Sequence, residues 1–122
     1  MDTPLVAEGV ARADMPPREI EPEELKALLE ERPETVLLVD VRQPDEHTYC
    51  HIPGSRLIPW PELPWRASEL DPRVEIILYC HRGVRSAIAA SELAKLGFER
   101  VRSLRGGIRA WAERVDPSLP QY

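Results

Sequence analysis

The residues of this chain with the clearest capacity for chemistry lie at positions 79–86, which read YCHRGVRS. Cys80 follows an apolar run, Ile76 to Tyr79, and precedes a histidine, two arginines and a glycine. The apolar run predicts a buried strand, and the alanine-rich stretch from Ser86 predicts a helix. Cys80 is therefore expected in a short loop between the end of a strand and the start of a helix.

This loop has the composition to activate a thiol. Backbone N–H groups in a tight loop and at a helix N-terminus attract negative charge, and Arg82 and Arg85 strengthen that attraction. Gly83 supplies the positive φ that a tight turn requires. Because the thiolate is the nucleophilic form of cysteine, Cys80 is predicted to be a nucleophile. The alternative is a buried cysteine that fills apolar space, which does not account for the neighbouring glycine, arginines and helix start.

A second polar cluster, Asp40 to Arg42, follows another apolar run, Val36 to Val39. That run has no polar alternation, which is typical of a strand buried on both faces of a parallel sheet. In such sheets ligands bind beyond the carboxyl ends of the strands, so Asp40 and Arg42 are expected near Cys80. A simple salt bridge at a strand end is the alternative interpretation, and such a pair can also hold the shape of the loop.

The elements that must position these residues alternate along the chain. The predicted strands are residues 36–39, 56–58, 74–79 and 100–103, and the predicted helices lie between Pro22 and Pro33, at residues 44–49 and 86–96, and between Gly106 and Pro117. Alternating strands and helices predict an α/β fold, with a parallel sheet covered by helices on both faces.

Length and composition set the broad class. The chain has 122 residues, 43% of them hydrophobic and 30% charged, which is ordinary for a single globular domain. We predict a flexible N-terminal arm at residues 1–19, the domain at residues 20–116 and a C-terminal tail at residues 117–122.

A net charge of −5 argues against nucleic-acid binding. No apolar run approaches the ~18 residues of a membrane span, and no signal peptide is visible, so a cytoplasmic protein is expected.

The histidines and cysteines do not form a metal-binding pattern. The three histidines, at positions 47, 51 and 81, match no common zinc spacing. The two cysteines, Cys50 and Cys80, form no C-x-x-C pair and no disulfide framework. Neither a metal nor another cofactor is expected.

Taken together, the motifs resemble those of single-domain rhodaneses, the thiosulfate and persulfide sulfurtransferases. The loop Cys80–Ser86 looks like their active-site loop. "LLVDVRQPDEHTYCHIPGSRLIP" resembles the first signature of the family, and "LRGGIRAW" its C-terminal signature. The resemblance covers about residues 20–115, and several ordered motifs make it more specific than one loop. It implies a single rhodanese-like domain with a central, mainly parallel five-stranded sheet.

The resemblance also implies a mechanism. Cys80 would attack the outer sulfur of a donor, become a persulfide and pass the sulfur to cyanide, a thiol or a protein. Asp40 and Arg42 match the Asp-x-Arg of the family and would support the loop. The residues implied to form the substrate-binding loop are His81, Arg82, Gly83, Val84, Arg85 and Ser86.

Two positions depart from the family pattern. His81 stands where the family often has arginine, which leaves the charge preference for substrate open. Cys50 stands where a glycine is common, and a similar cysteine occurs in rhodanese domains fused to sulfur-carrier activating enzymes. The expected partners are a small sulfur-containing anion or low-molecular-weight thiol, with a protein sulfur acceptor as a further partner. Cys50 is either a buried thiol or a group that resolves the persulfide. The chain is expected to be a monomer or a homodimer.

Two other functions use the same features. A cysteine-dependent phosphatase of related fold also has a thiolate and a terminal arginine, but its loop is one residue longer than the spacing from Cys80 to Arg85. The shorter loop is expected to fit a sulfane sulfur better than a tetrahedral phosphate. A non-catalytic rhodanese-like binding module is expected to lack the nucleophile, which is present here as Cys80.

Overall fold

Five parallel strands form one sheet in the computed structural model, which describes residues 18–122. The spatial order of the strands is β1-β5-β4-β2-β3. This all-parallel sheet confirms the predicted α/β fold. The strands are β1 (Glu19–Ile20), β2 (Val36–Asp40), β3 (Arg56–Leu57), β4 (Glu75–Tyr79) and β5 (Val101–Leu104).

The described residues contain five helices, of which four connect strands and the last follows β5. Each of the predicted helices is present within a few residues of its expected bounds. Pro22 and Pro44 lie in the first turn of their helices, where a missing N–H costs nothing. Gly97, at φ +101°, follows the C-terminal end of the fourth helix as expected. The helices are α1 (Pro22–Glu31), α2 (Pro44–Tyr49), α3 (Leu63–Arg66), α4 (Val84–Lys95) and α5 (Gly107–Arg114), with short 3-10 turns at Pro33–Thr35, Trp60–Glu62 and Ala67–Glu69.

The central strand β4 brings the two predicted polar clusters together. It pairs with β2 on one side, where Asp40 lies opposite Tyr79, and with β5 on the other, where Ser103 lies opposite Leu78. Because all three strands run in the same direction, their carboxyl ends meet at one edge of the sheet. Cys80 follows β4 at that edge.

Alternate side chains of β4 enter two separate apolar clusters. Ile76, Leu78 and Cys80 pack with residues of α4 on one face of the sheet. Ile77 and Tyr79 pack on the other face with residues of α1 and α5. The period of two along a strand places these sets on opposite faces, so both faces are buried beneath helices as the apolar runs predict.

The ends of the domain differ from the expected boundaries. Glu19, assigned to the arm, pairs with Ser103 as part of β1, while residues 1–17 of that arm lie outside the described residues. The expected tail, residues 117–122, contributes Leu119 and Tyr122 to the apolar cluster beneath α5. Within the described range, no helix has the length and apolar character needed to cross a membrane.

Candidate active site

The thiol of Cys80 lies at the N-terminus of helix α4 and is almost completely buried, at 1% exposure. Its sulfur accepts hydrogen bonds from the backbone N–H groups of Gly83 and Ser86, at 3.1 Å and 3.4 Å. Both donors belong to the loop and the first turn of α4, where N–H groups lack partners within the helix. The site therefore presents positively polarised groups to the sulfur, which favours negative charge there.

Gly83 makes this tight loop possible. The residue has φ +96° and immediately precedes α4, so only residues 81–83 separate Cys80 from the helix. A β-carbon at position 83 would lie 3.0 Å from the backbone nitrogen of Gly106. The predicted positive φ is confirmed, and the close approach of a second backbone segment is an additional reason for glycine.

A pair of buried hydroxyls extends from the sulfur into the sheet. The hydroxyl of Ser86 lies 3.4 Å from the Cys80 sulfur and 2.7 Å from the hydroxyl of Ser103. Both serines are fully buried. A Ser86 O–H that donates to the sulfur would stabilise a thiolate, while Ser103 holds that hydroxyl in place. Sequence reasoning included Ser86 but missed Ser103, which only its position in β5 beside β4 brings near the site.

Helix α5 supports the loop from the other side. The N–H groups of Ile108 and Arg109, in its first turn, donate to the carbonyl oxygens of Cys80 and His81 at 2.9 Å and 3.0 Å. Gly107 allows this approach, because a β-carbon there would lie 2.6 Å from the Cys80 oxygen and still closer to the His81 oxygen. The glycine pair in "LRGGIRAW" is the sequence signal for this contact. It predicted the start of the last helix and formed part of a family signature, but the contact with the loop was not predicted.

Asp40 and Arg42 form a fully buried ion pair. The Arg42 guanidinium donates from Nε and Nη2 to the two carboxylate oxygens of Asp40, at 2.9 Å and 2.7 Å. Burial alone would raise the pKa of Asp40, but hydrogen bonds from Arg42 and His47 reverse this and lower it. Burial likewise disfavours the charged form of Arg42, yet its bond to Asp40 raises its pKa further above the ordinary value.

Support of the cysteine loop by this pair stays a prediction, and the direct contacts of Arg42 lie elsewhere. Arg42 Nη2 also donates to the carbonyl oxygen of Cys50 at 2.6 Å, and Nη1 donates to the Tyr122 hydroxyl. Within residues 18–122, no hydrogen bond joins Asp40 or Arg42 to residues 81–86. The pair directly holds the chain that leaves α2, and it is linked to the loop through Tyr122, whose ring stacks on His81.

The remaining loop side chains have different surroundings. The ring of His81 is partly buried and stacks on Tyr122, with 3.9 Å between centroids. Arg82 and Val84 are exposed. Arg85 is partly buried, and its Nη2 lies 3.7 Å from a carboxylate oxygen of Glu46. The predicted loop therefore surrounds the sulfur with backbone amides, and its arginines lie at the surface, where they can attract an anion.

Cys50 lies apart from Cys80. Cys50 is buried in the apolar cluster beneath α1 and α5, whereas Cys80 belongs to the cluster beneath α4. Both thiols are free. Their locations on opposite faces of the sheet favour the interpretation of Cys50 as a buried thiol.

Comparison with known proteins identifies relatives for most of the chain. Residues 21–114 match the family model described as Rhodanese-like domain. A sulfurtransferase of Allochromatium vinosum is 42% identical over 99 residues, which cover 81% of this chain and 92% of that protein. The probable adenylyltransferase/sulfurtransferase MoeZ of Mycobacterium tuberculosis is 37% identical over 105 residues, which cover 84% of this chain but 26% of that protein.

Solved structures show the same likeness. The thiosulfate sulfurtransferase of Pseudomonas aeruginosa superposes with a TM-score of 0.74 at 32% identity. The superposition covers 85% of this chain and 20% of the other. The present chain thus corresponds to nearly the whole of the Allochromatium protein and to one part of the two longer ones.

Proposed function

The chain belongs to the rhodanese-like family, and from this premise we propose that it moves a sulfane sulfur from thiosulfate or a persulfide donor to an acceptor through a persulfide on Cys80. Sulfur transfer as the general activity follows from relatives that are named sulfurtransferases. The donor, the acceptor and the persulfide are the parts that we propose.

One observation carries the proposal: the Cys80 sulfur accepts two backbone N–H hydrogen bonds at the start of α4. A thiolate needs such donors to persist in a buried position, because an unpaired buried charge is strongly unfavourable. The same donors can bind the negative charge of the persulfide that follows. The buried hydroxyl of Ser86 accepts a hydrogen bond from the neutral thiol at 3.4 Å, and it can donate to the sulfur once the thiol has lost its proton.

The proposed reaction has two displacement steps. In the first, the Cys80 thiolate attacks the outer sulfur of thiosulfate, an S–S bond to Cys80 forms, and sulfite leaves with the electron pair of the broken S–S bond. In the second, cyanide or an acceptor thiolate attacks the outer sulfur of the persulfide. Thiocyanate or a new persulfide leaves, and the Cys80 thiolate is regenerated. Atoms and charge balance without a cofactor.

The surroundings of the loop suit an anionic donor. Arg82 is exposed and Arg85 is partly buried beside the loop, so both can attract a small sulfur-containing anion as it approaches. The helix dipole of α4 acts in the same direction. We propose a low-molecular-weight thiol or a protein as the sulfur acceptor of the second step.

Phosphate hydrolysis is the competing use of the same loop. Arg85 follows Cys80 by five positions, one fewer than in cysteine phosphatases, and the two amide donors lie close to the sulfur. The ring of amides is therefore small. We expect slow hydrolysis of aryl phosphates or none.

Intact mass measurement tests the proposal directly. Brief treatment with thiosulfate should add the mass of one sulfur atom, and cyanide should remove it with release of thiocyanate. Cys80→Ser should abolish the adduct, because a hydroxyl is a far weaker nucleophile at neutral pH. Cys50→Ser is the matched control and should load normally. Wild-type protein that gains no sulfur but cleaves aryl phosphates through Cys80 would establish the phosphatase instead.

A further inference from the structure

The segment that follows α5, residues 116–122 (the C-terminal segment), reaches the edge of the sheet where Cys80 lies. Its last residue, Tyr122, contacts Arg42 just beyond β2 and His81 just beyond β4. These two strands are neighbours. Tyr122 therefore spans the crevice beyond their carboxyl ends, the position where parallel α/β sheets bind ligands.

The hydroxyl of Tyr122 occupies a specific polar site. It accepts a hydrogen bond from Nη1 of the fully buried Arg42 at 2.5 Å and donates to a carboxylate oxygen of Glu46 at 2.9 Å. Burial raises the pKa of this hydroxyl to about 12, so the proton that Glu46 accepts is retained at neutral pH. A phenol that both accepts from a buried cation and donates to a carboxylate is held in one orientation.

The ring and the main chain of Tyr122 bind the loop itself. The ring lies parallel to the imidazole of His81, with 8° between the planes, and meets the edge of the Tyr49 ring. The main-chain oxygen of Tyr122 contacts Nε2 of His81 and accepts a hydrogen bond from Arg109 at 3.1 Å. One residue thus joins the strand end, α2, the active-site loop and α5.

The rest of the C-terminal segment is anchored independently. The N–H of Asp116 donates to the Trp111 oxygen, the N–H of Leu119 donates to the Asp116 oxygen, and the Leu119 side chain packs against the core. Asp116 also accepts a hydrogen bond from the backbone of Ser118 at 3.1 Å. The segment can therefore release Tyr122 from the crevice while its base stays attached to α5.

We propose that Tyr122 is a gate residue that determines the size of the molecules able to reach Cys80. Small anions pass beside the closed gate, whereas a bulky acceptor, such as the thiol of a protein, requires displacement of Tyr122 from His81 and Arg42. This inference rests on the proposed function for its biological meaning. Its physical content, size-dependent access to Cys80, can be measured without any sulfur transfer.

Alkylation of Cys80 by reagents of two sizes tests the gate. In a Cys50→Ser background, iodoacetamide serves as the small probe and a pyrene maleimide as the bulky one, with modification followed by intact mass. Tyr122→Ala should increase the bulky-to-small ratio of the rate constants at least tenfold. Tyr122→Phe, which keeps the ring but loses both hydroxyl hydrogen bonds, should give an intermediate increase. Gln121→Ala, at an exposed neighbour, should leave the ratio unchanged.

Specific outcomes overturn the inference. Equal acceleration of both reagents would mean that Tyr122 only stabilises the loop, and an unchanged ratio would mean that it does not limit access. If circular dichroism shows that Tyr122→Ala does not fold, Tyr122→Phe takes its place in the test. A bulky-to-small rate ratio for Tyr122→Phe at least twice that of Gln121→Ala supports the gate, and a smaller ratio refutes it. A wild-type protein that takes up no sulfur would defeat the proposed function while this test of the gate remains valid.

Discussion

Replacement of Gly107 by alanine tests how the active-site loop is held. Gly107 has φ +66°, and an added β-carbon would lie 2.6 Å from the Cys80 oxygen. The neighbouring atoms belong to the backbone, so rotation of a side chain cannot relieve the clash. Either α5 or the loop must move, and movement breaks the hydrogen bonds from Ile108 and Arg109 to the loop carbonyls.

The size of the effect follows from these contacts. A left-handed conformation costs a non-glycine residue about 1–2 kcal/mol, and each lost hydrogen bond costs about 1 kcal/mol. Gly107→Ala should therefore lower the free energy of unfolding by about 3–4 kcal/mol. Gly54→Ala is the matched control, since Gly54 has φ +85° with no atom within 4 Å of the added carbon. It should lose only the conformational part, about 1–2 kcal/mol.

Two measurements separate the effect of the substitution on stability from its effect on sulfur loading. Urea unfolding gives the stability difference between the two variants, and the rate of sulfur loading from thiosulfate gives the effect on the loop. Displacement of the loop moves the Gly83 and Ser86 amides relative to the sulfur, so Gly107→Ala should load at least tenfold more slowly while Gly54→Ala loads normally. If both variants lose the same stability and load at the same rate, contact with α5 does not hold the loop.

Three further perturbations address other parts of the site. Asp40→Asn should lower the free energy of unfolding by about 3 kcal/mol, because Arg42 would remain buried without a counter-charge. Since the pKa of Asp40 is lowered in the fold, the stability difference between wild type and variant should be complete above the ordinary carboxyl pKa and vanish as pH falls through the lowered value. A stability difference that persists in acid would contradict this. Ser103→Ala should slow sulfur loading by a few-fold by releasing the Ser86 hydroxyl, whereas a loading rate equal to wild type would exclude that role. Removal of residues 1–17 should leave transfer from thiosulfate to cyanide within twofold of wild type, and a large loss would show that the arm contributes to the site.

The sequence by itself determined the local elements and singled out Cys80 as the predicted nucleophile. Apolar runs without polar alternation identified β2 and β4, because a strand buried on both faces has no solvent-exposed face that would carry polar residues. Gly83 and Gly97 were identified as positions of positive φ, because few other residues adopt that conformation at low cost. Cys80 was identified because it lies in the sequence between the end of a predicted strand and the start of a predicted helix, close to a turn glycine.

The tertiary structure decided which distant groups surround that cysteine. Ser103 reaches the site through the pairing of β5 with β4, and the amides of Ile108 and Arg109 reach it through the packing of α5 on the loop. No local pattern encodes these contacts, because they join segments that are separated along the chain. The same applies to Arg42. The sequence placed it at the end of a strand, but its hydrogen bond to the Cys50 carbonyl was not predicted.

Tyr122 shows the limit of sequence reasoning most clearly. Its surroundings in the chain, proline and polar residues without periodicity, are typical of a tail. Its place in the fold comes instead from a polar site that four separate elements build together, with Arg42, Glu46, His81 and Arg109 as the contacts. Propensity and periodicity describe neighbours along the chain, whereas a site assembled from distant side chains exists only once the sheet has set their positions.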